Sequence, residues 1–379
     1  MKAAKGKVKK RAGIVEQSDL RAAEATVPGP LLNCGGSLSP GTAFRSWGDF
    51  WFCATDPVGL HAIRVLAGIL FLAWLLPFAG QLDGLFGLHG WFDQQAYREA
   101  GRLPEGLRPQ FGWSALFLCG SNPMLLKAAY GVSLVVLALF SLGIATRLTA
   151  VLTWVIVVSF SANPATSYDA DALLVILAFY LMIGYVFLGQ SSRGQGYGNQ
   201  SLRSRLLGHK ETWLFYTARS GKSAESRPHS VAANVAVRLL QVHLAIVIVT
   251  SGLHKLQFGD WWAGVAFWYP LYPPLATTIE DAREHIADRI PFLVLLSLAA
   301  YATLCWQIAF PLFAWKRYWR KLLLAGAVAG WLGTTLLYQL PLFGPTIFIG
   351  CLSYLSPSEW RRVCNRLARI PPFAAASHE

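Results

Sequence analysis

A chain of 379 residues that is 54% hydrophobic, 13% aromatic and only 14% charged excludes both an ordinary soluble domain and an intrinsically disordered one. The formal net charge of +13 does not indicate nucleic acid, because the basic residues sit between apolar runs rather than on one face or in one tract. Alternating segments of about ten residues, as in a β-barrel, do not occur; apolar runs of roughly 18 or more residues predict an all-α, polytopic bundle in a lipid bilayer.

Residues 1–50 open with MKAAKGKVKKRAG and contain no apolar core. They read as a disordered, basic cytoplasmic tail drawn to anionic lipid, not as a signal peptide. LLNCGGS around Cys34 has no hydrophobic region before it, so it is not taken as a lipoprotein cleavage box. Eight apolar spans follow, at roughly 57–80, 122–141, 146–162, 170–189, 233–256, 290–315, 319–338 and 341–356. The last is short and contains Pro345. The segment 111–120 (FGWSALFLCG) is too short to cross and is expected in the interface. Residues 358–379 form a second tail.

The distribution of Lys and Arg sets the orientation. Of the 33, 24 fall in the two tails, at Arg147, in the 190–232 loop and between Lys316 and Lys321. Only 5 fall in the 81–121 and 257–289 loops, and 4 lie within spans. This asymmetry predicts both termini in the cytoplasm and an inner, multi-pass cell-membrane protein. It also puts SGLHKLQFGDWW (Ser251–Trp262), the SANPATSYDAD turn (Ser161–Asp171) and the loop containing DGLFGLHGWFDQQAY at one extracytoplasmic rim.

Chemistry is expected from few residues. The six cysteines are scattered without a CxxC, and no histidine pair among His61, His89 and His243 has metal spacing, so neither a disulfide framework nor a metal site is expected. On the fifth span, Arg238, Gln241, Ala245, Ile248, Gly252 and Lys255 share roughly one 100° arc. His243, Thr250 and His254 fall opposite, so both sides of this helix are expected to meet protein. Lys255 has two readings. It anchors the span, snorkelling or pairing with Asp169, Asp171 or Asp260; or it acts as a base, which needs a neutral amine in dry surroundings without a carboxylate. Asp169 suits a helix N-terminus, while Asp171 is expected to face the protein interior. Arg64, two turns into the first span, requires a partner. Trp261 and Trp262 fit an interfacial aromatic belt, and AGAVAGWLG (Ala325–Gly333) suits close helix packing.

Three stretches occur in order: LGIATRLTAVLTWVIVVSFSANP, SYDADALLVILAFYLM and RLLQVHLAIVIVTSGLHKLQFGDWWAGVAF. With Arg238, Gln241, Gly252, Lys255, Trp262, Gly264 and Ala266 as landmarks, residues 55–357 resemble the horizontally transferred transmembrane (HTTM) domain. This is the membrane part of vitamin K-dependent gamma-carboxylase and of many bacterial proteins. The resemblance implies Lys255 as the base that deprotonates a reduced vitamin K-type quinone, with His254, Asp171, Trp262 and Gln241 around the substrate. The chain departs from the carboxylase in two respects. No histidine occurs from Asn163 to Tyr168, and the chain ends soon after its last span, without the large lumenal portion that handles the protein substrate. The alternative is a non-enzymatic membrane protein: an accessory or maturation factor, or a small-solute carrier. That reading expects Lys255 in an ion pair, or a polar path leading outward from Arg238.

Overall fold

A computed structural model describes residues 40–88, 90–91, 94–100, 102–104, 113–119, 122–164, 166, 169–188, 229–271 and 290–367. The chain divides into two compact units, 1–50 and 51–379. His89, nearly all of the 190–232 loop, residues 272–289 and the outer parts of both tails lie outside the described residues. Within the tail expected to be disordered, the chain is helical from Pro40 onward, in α1 (Pro40–Phe52), where Trp47 and Phe50 stack at 6.1 Å.

Helices account for the regular structure of the described residues, and no strand occurs among them; Thr55 and Ser230 form an isolated antiparallel bridge. In chain order they are α2 (Val58–Leu75, continued by a 3₁₀ turn at Leu76–Gly80), α3 (Pro123–Leu142), α4 (Thr146–Ser161) and α5 (Asp169–Val186). Next come α6 (Val231–Lys255), α7 (Ile290–Phe313), α8 (Arg317–Tyr338), α9 (Phe343–Leu352) and α10 (Pro357–Leu367). Each window expected to hold an apolar span therefore contains one helix. Five are long and apolar enough to cross a membrane, namely Val58–Gly80, Pro123–Leu142, Val231–Lys255, Ile290–Phe313 and Arg317–Tyr338, while the helices of α4, α5 and α9 are shorter. The chain is thus a multi-pass helical membrane protein. Among its described residues, the segment 111–120, expected in the interface, contains one short 3₁₀ turn, Ala115–Leu118.

Local sequence sets the helix ends. Asn122 accepts the Met124 N–H at 2.9 Å and Pro123 occupies the first turn, so α3 starts there. It stops at Gly143, whose φ of 85° is left-handed; the Gly143 and Ile144 N–H groups return to Phe140 and Leu139. Ser230 caps α6 through Ala233 N–H at 3.3 Å.

Two apolar clusters meet along α6. Ala233, Ala236 and Leu240 join the cluster built on α2–α5, while Leu244, Ala245 and Ile248 join Phe310, Ala327 and Tyr354 of the α7–α9 side. Within lipid, van der Waals fit and interhelical hydrogen bonds hold such contacts, since lipid tails are as apolar as the side chains. The two clusters succeed one another up one face of α6, and on the opposite side only His243 of the three polar residues expected to meet protein does so. His243 lies 3.0 Å from Tyr180 Oη of α5. His254, by contrast, is exposed, and Thr250 bonds its own helix at Ile246 O, 2.7 Å.

At Gly252 α6 and α7 approach closely: a Cβ there would lie 2.9 Å from Gln307 Cβ. Gln307 is 17 residues after Ile290 and 6 before Phe313, so α7 runs on for about 25 Å beyond this contact in the direction α6 ends. The chain after Lys255 turns along that overhang. Tyr301 Oη donates to Trp262 O at 2.7 Å, and Gly264, at φ 74°, is packed so tightly on Ser297 that a Cβ would come within 2.8 Å of it.

Helix α10 begins with Ser356-Pro-Ser-Glu359, a capping box. Glu359 accepts from Ser356 N at 2.7 Å and Ser356 Oγ at 2.8 Å, and pairs with Arg320 of α8. Arg361 pairs with Asp56 before α2. Burial alone would raise the Glu359 carboxyl, but the Ser356 donors and the Arg320 guanidinium together hold it below the usual carboxylate value. A carboxyl whose folded value is lowered contributes fully above its unfolded value and loses that contribution as pH falls through the folded one. The thermal midpoint of Glu359→Gln should therefore lie below wild type near neutral pH, and the gap should close between about pH 6 and about pH 3.

Candidate functional site

The C-terminal end of α6 carries the candidate site. Ser251 and Lys255 are one helical turn apart and face the same way. Lys255 Nζ donates to Ser251 Oγ at 2.8 Å and lies 5.3 Å from the centre of the Trp261 ring, over its face. From α7, Gln307 Nε2 reaches the same Ser251 Oγ at 3.5 Å. The other end of that carboxamide, Gln307 Oε1, is buried and has no hydrogen-bond partner among the described residues. Lys255 itself is half-buried. Among the described residues no carboxylate lies within ion-pair distance of it: the ion pairs join Lys127 to Asp83, Arg320 to Glu359 and Arg361 to Asp56. Asp260 is exposed, and the side chain of Asp169 lies outside the described residues.

Of the residues expected around Lys255, the structure separates several. Gln241 is 14 residues earlier on α6, about 21 Å away along the axis. It is engaged there: Nε2 donates to Ser353 O at 2.7 Å, while Oε1 accepts from Arg238 at 3.0 Å and Trp315 at 3.2 Å. It thus ties α6 to α9 and to the α7–α8 connection, and it does not reach the rim. Asp171 is buried in the first turn of α5 and accepts the Trp74 indole N–H at 2.9 Å. The Tyr180–His243 contact and nine residues of rise put Asp171 near the height of Gly252, but its known partner belongs to α2. Trp262 turns away: its Nε1 donates to Leu256 O at 2.6 Å, and it is Trp261 that presents its face to the amine. His254 packs edge-on against Phe258 at 5.0 Å. Arg64 finds its partner in Tyr185, whose Oη accepts from Nη1 at 3.4 Å and lies 2.7 Å from His61 Nδ1.

Ser251 was legible as the polar residue four before Lys255. Gln307 had a signal as well, being an amide side chain inside an apolar span, where such groups bond across helices. Trp261 and Trp262 cannot be told apart from sequence, because the turn after Lys255 decides which ring faces it.

No family model, no curated protein and no solved structure matches the chain.

Chemically, the arrangement is an amine held by one hydroxyl and one indole face, beside an unused buried acceptor. The amine can donate or receive a proton, and the indole face stabilises its charged form after uptake.

Proposed function

We propose that Lys255 acts as a general base toward a lipid-soluble quinol in an eight-span membrane protein similar to the membrane part of vitamin K-dependent gamma-carboxylase. In this reading both termini lie on the cytoplasmic side of the inner cell membrane, as the Lys and Arg distribution favours. One observation carries the proposal: the Lys255 amine has a hydroxyl and an aromatic face for company and no carboxylate among the described residues. Anchoring by an ion pair calls for the opposite surroundings.

The residues present fit such a molecule. Trp261 offers an aromatic face at the amine, Phe258, nearby in sequence, packs against His254, and Gln307 Oε1 is an acceptor in want of a donor. The proton step is an O–H broken on the quinol and an N–H formed on Lys255, leaving a quinolate and an ammonium. A carrier reading is less well supported, because Ala245 and Ile248 are buried in apolar contacts between Gln241 and Lys255 and interrupt a polar path along this face.

Quinol-dependent oxygen uptake by the purified protein, compared with Lys255→Ala, tests the proposal. Uptake by wild type and its loss in the variant are expected; equal rates would remove Lys255 from the chemistry.

A further inference from the structure

Gln307 is an apolar-span residue whose carboxamide is half used. Its Nε2 faces Ser251 Oγ at 3.5 Å, and that oxygen already receives the Lys255 amine at 2.8 Å. Its Oε1 is buried without a partner. A buried acceptor left unsatisfied is costly, and the cost disappears when a ligand donates to it. Gly252 admits Gln307 to this position, since a Cβ there would lie 2.9 Å from Gln307 Cβ and 3.6 Å from Oε1.

We infer that Gln307 is a specificity-determining residue that accepts a hydrogen bond from a ligand hydroxyl beside Lys255. The inference rests on the reading of this rim as a ligand site. It adds that the site selects a hydrogen-bond donor, and therefore discriminates against ligands of the same shape whose oxygens only accept. The reverse orientation of the amide would present an N–H and select the opposite class, so the sign of the discrimination is informative.

The test is equilibrium binding under nitrogen to the full-length protein in lipid nanodiscs, with naphthohydroquinone and its dimethyl ether as probes. Wild type is expected to bind the hydroquinone roughly 10-fold more tightly than the ether, the scale of one buried hydrogen bond with its desolvation penalty. Gln307→Leu should erase that difference by weakening the hydroquinone alone. Gln307→Glu, which keeps an acceptor, should retain the preference while placing a carboxylate beside Lys255 and so suppressing the oxygen uptake assigned to it. Retained discrimination in Gln307→Leu, a preference for the ether in wild type, or no binding of either probe would overturn the inference. Failure of the Lys255 reading looks different: turnover would survive Lys255→Ala while the binding preference still followed Gln307.

Discussion

Lys255→Arg is expected to be as inactive as Lys255→Ala, with quinol-dependent oxygen uptake lowered by about 100- to 10,000-fold, the usual worth of a positioned general base. Arginine retains the positive charge and several N–H donors, so it can still bond Ser251 and still lie on the Trp261 face. It does not shed its proton under any condition the folded protein meets, and so cannot receive one. The pair of substitutions thus separates two jobs that alanine alone confounds. If Lys255 merely anchors the end of α6, arginine restores both thermal stability and turnover. If it is a base, arginine restores stability only. Parallel measurements of thermal midpoint and oxygen uptake on the three proteins decide it, and an active arginine variant ends the base reading.

Gly143→Val should cost about 2–5 kcal/mol of stability, combining a strained backbone with an overfilled interior. The backbone at Gly143 is left-handed, at φ 85°, which a β-branched residue adopts poorly. Its added Cβ would come within 2.6 Å of Arg64 Nη2 and 2.9 Å of Arg64 Cζ. Arg64 cannot give way cheaply, because it is among the largest fully buried side chains and is held against Tyr185, with its guanidinium carbon 5.5 Å from the ring centre. Gly131 is the internal control. It lies within α3, the helix that Gly143 terminates, with open space where a Cβ would go, so Gly131→Ala should be neutral or stabilising by up to about 1 kcal/mol. Thermal midpoints in detergent compare the two, and a Gly143→Val midpoint equal to that of wild type would show that Arg64 is freely displaced.

The helices were legible because membrane spans leave the strongest of all sequence signals, a long apolar run between basic segments. Partners within the bundle were harder. Arg64 announced that it needed one, yet Tyr185 lies 121 residues away and reads as an ordinary aromatic until α2 and α5 are packed. The arc from Arg238 to Lys255 was correctly seen as one face of α6, but a shared face is not a shared site when about 21 Å separates Gln241 from Lys255. The capping box at Ser356 and Glu359 was written openly in the sequence and required only attention to spacing. What no linear pattern conveys is height. Where α7 sits relative to α6, and so their stagger, shows only in contacts such as Gly252–Gln307 and Trp315–Gln241, which pair residues far apart in sequence.

That stagger decides how a molecule meets the amine. Helix α7 exposes Val294, Leu295 and Leu298 along its overhanging part, and, being apolar enough to cross a membrane, it keeps oily surface beside and beyond Lys255. On the quinol reading proposed above, a compound dissolved among the acyl chains would reach the site along this surface. Partitioning into the leaflet, more than concentration in the surrounding aqueous phase, would then govern how often Lys255 is visited.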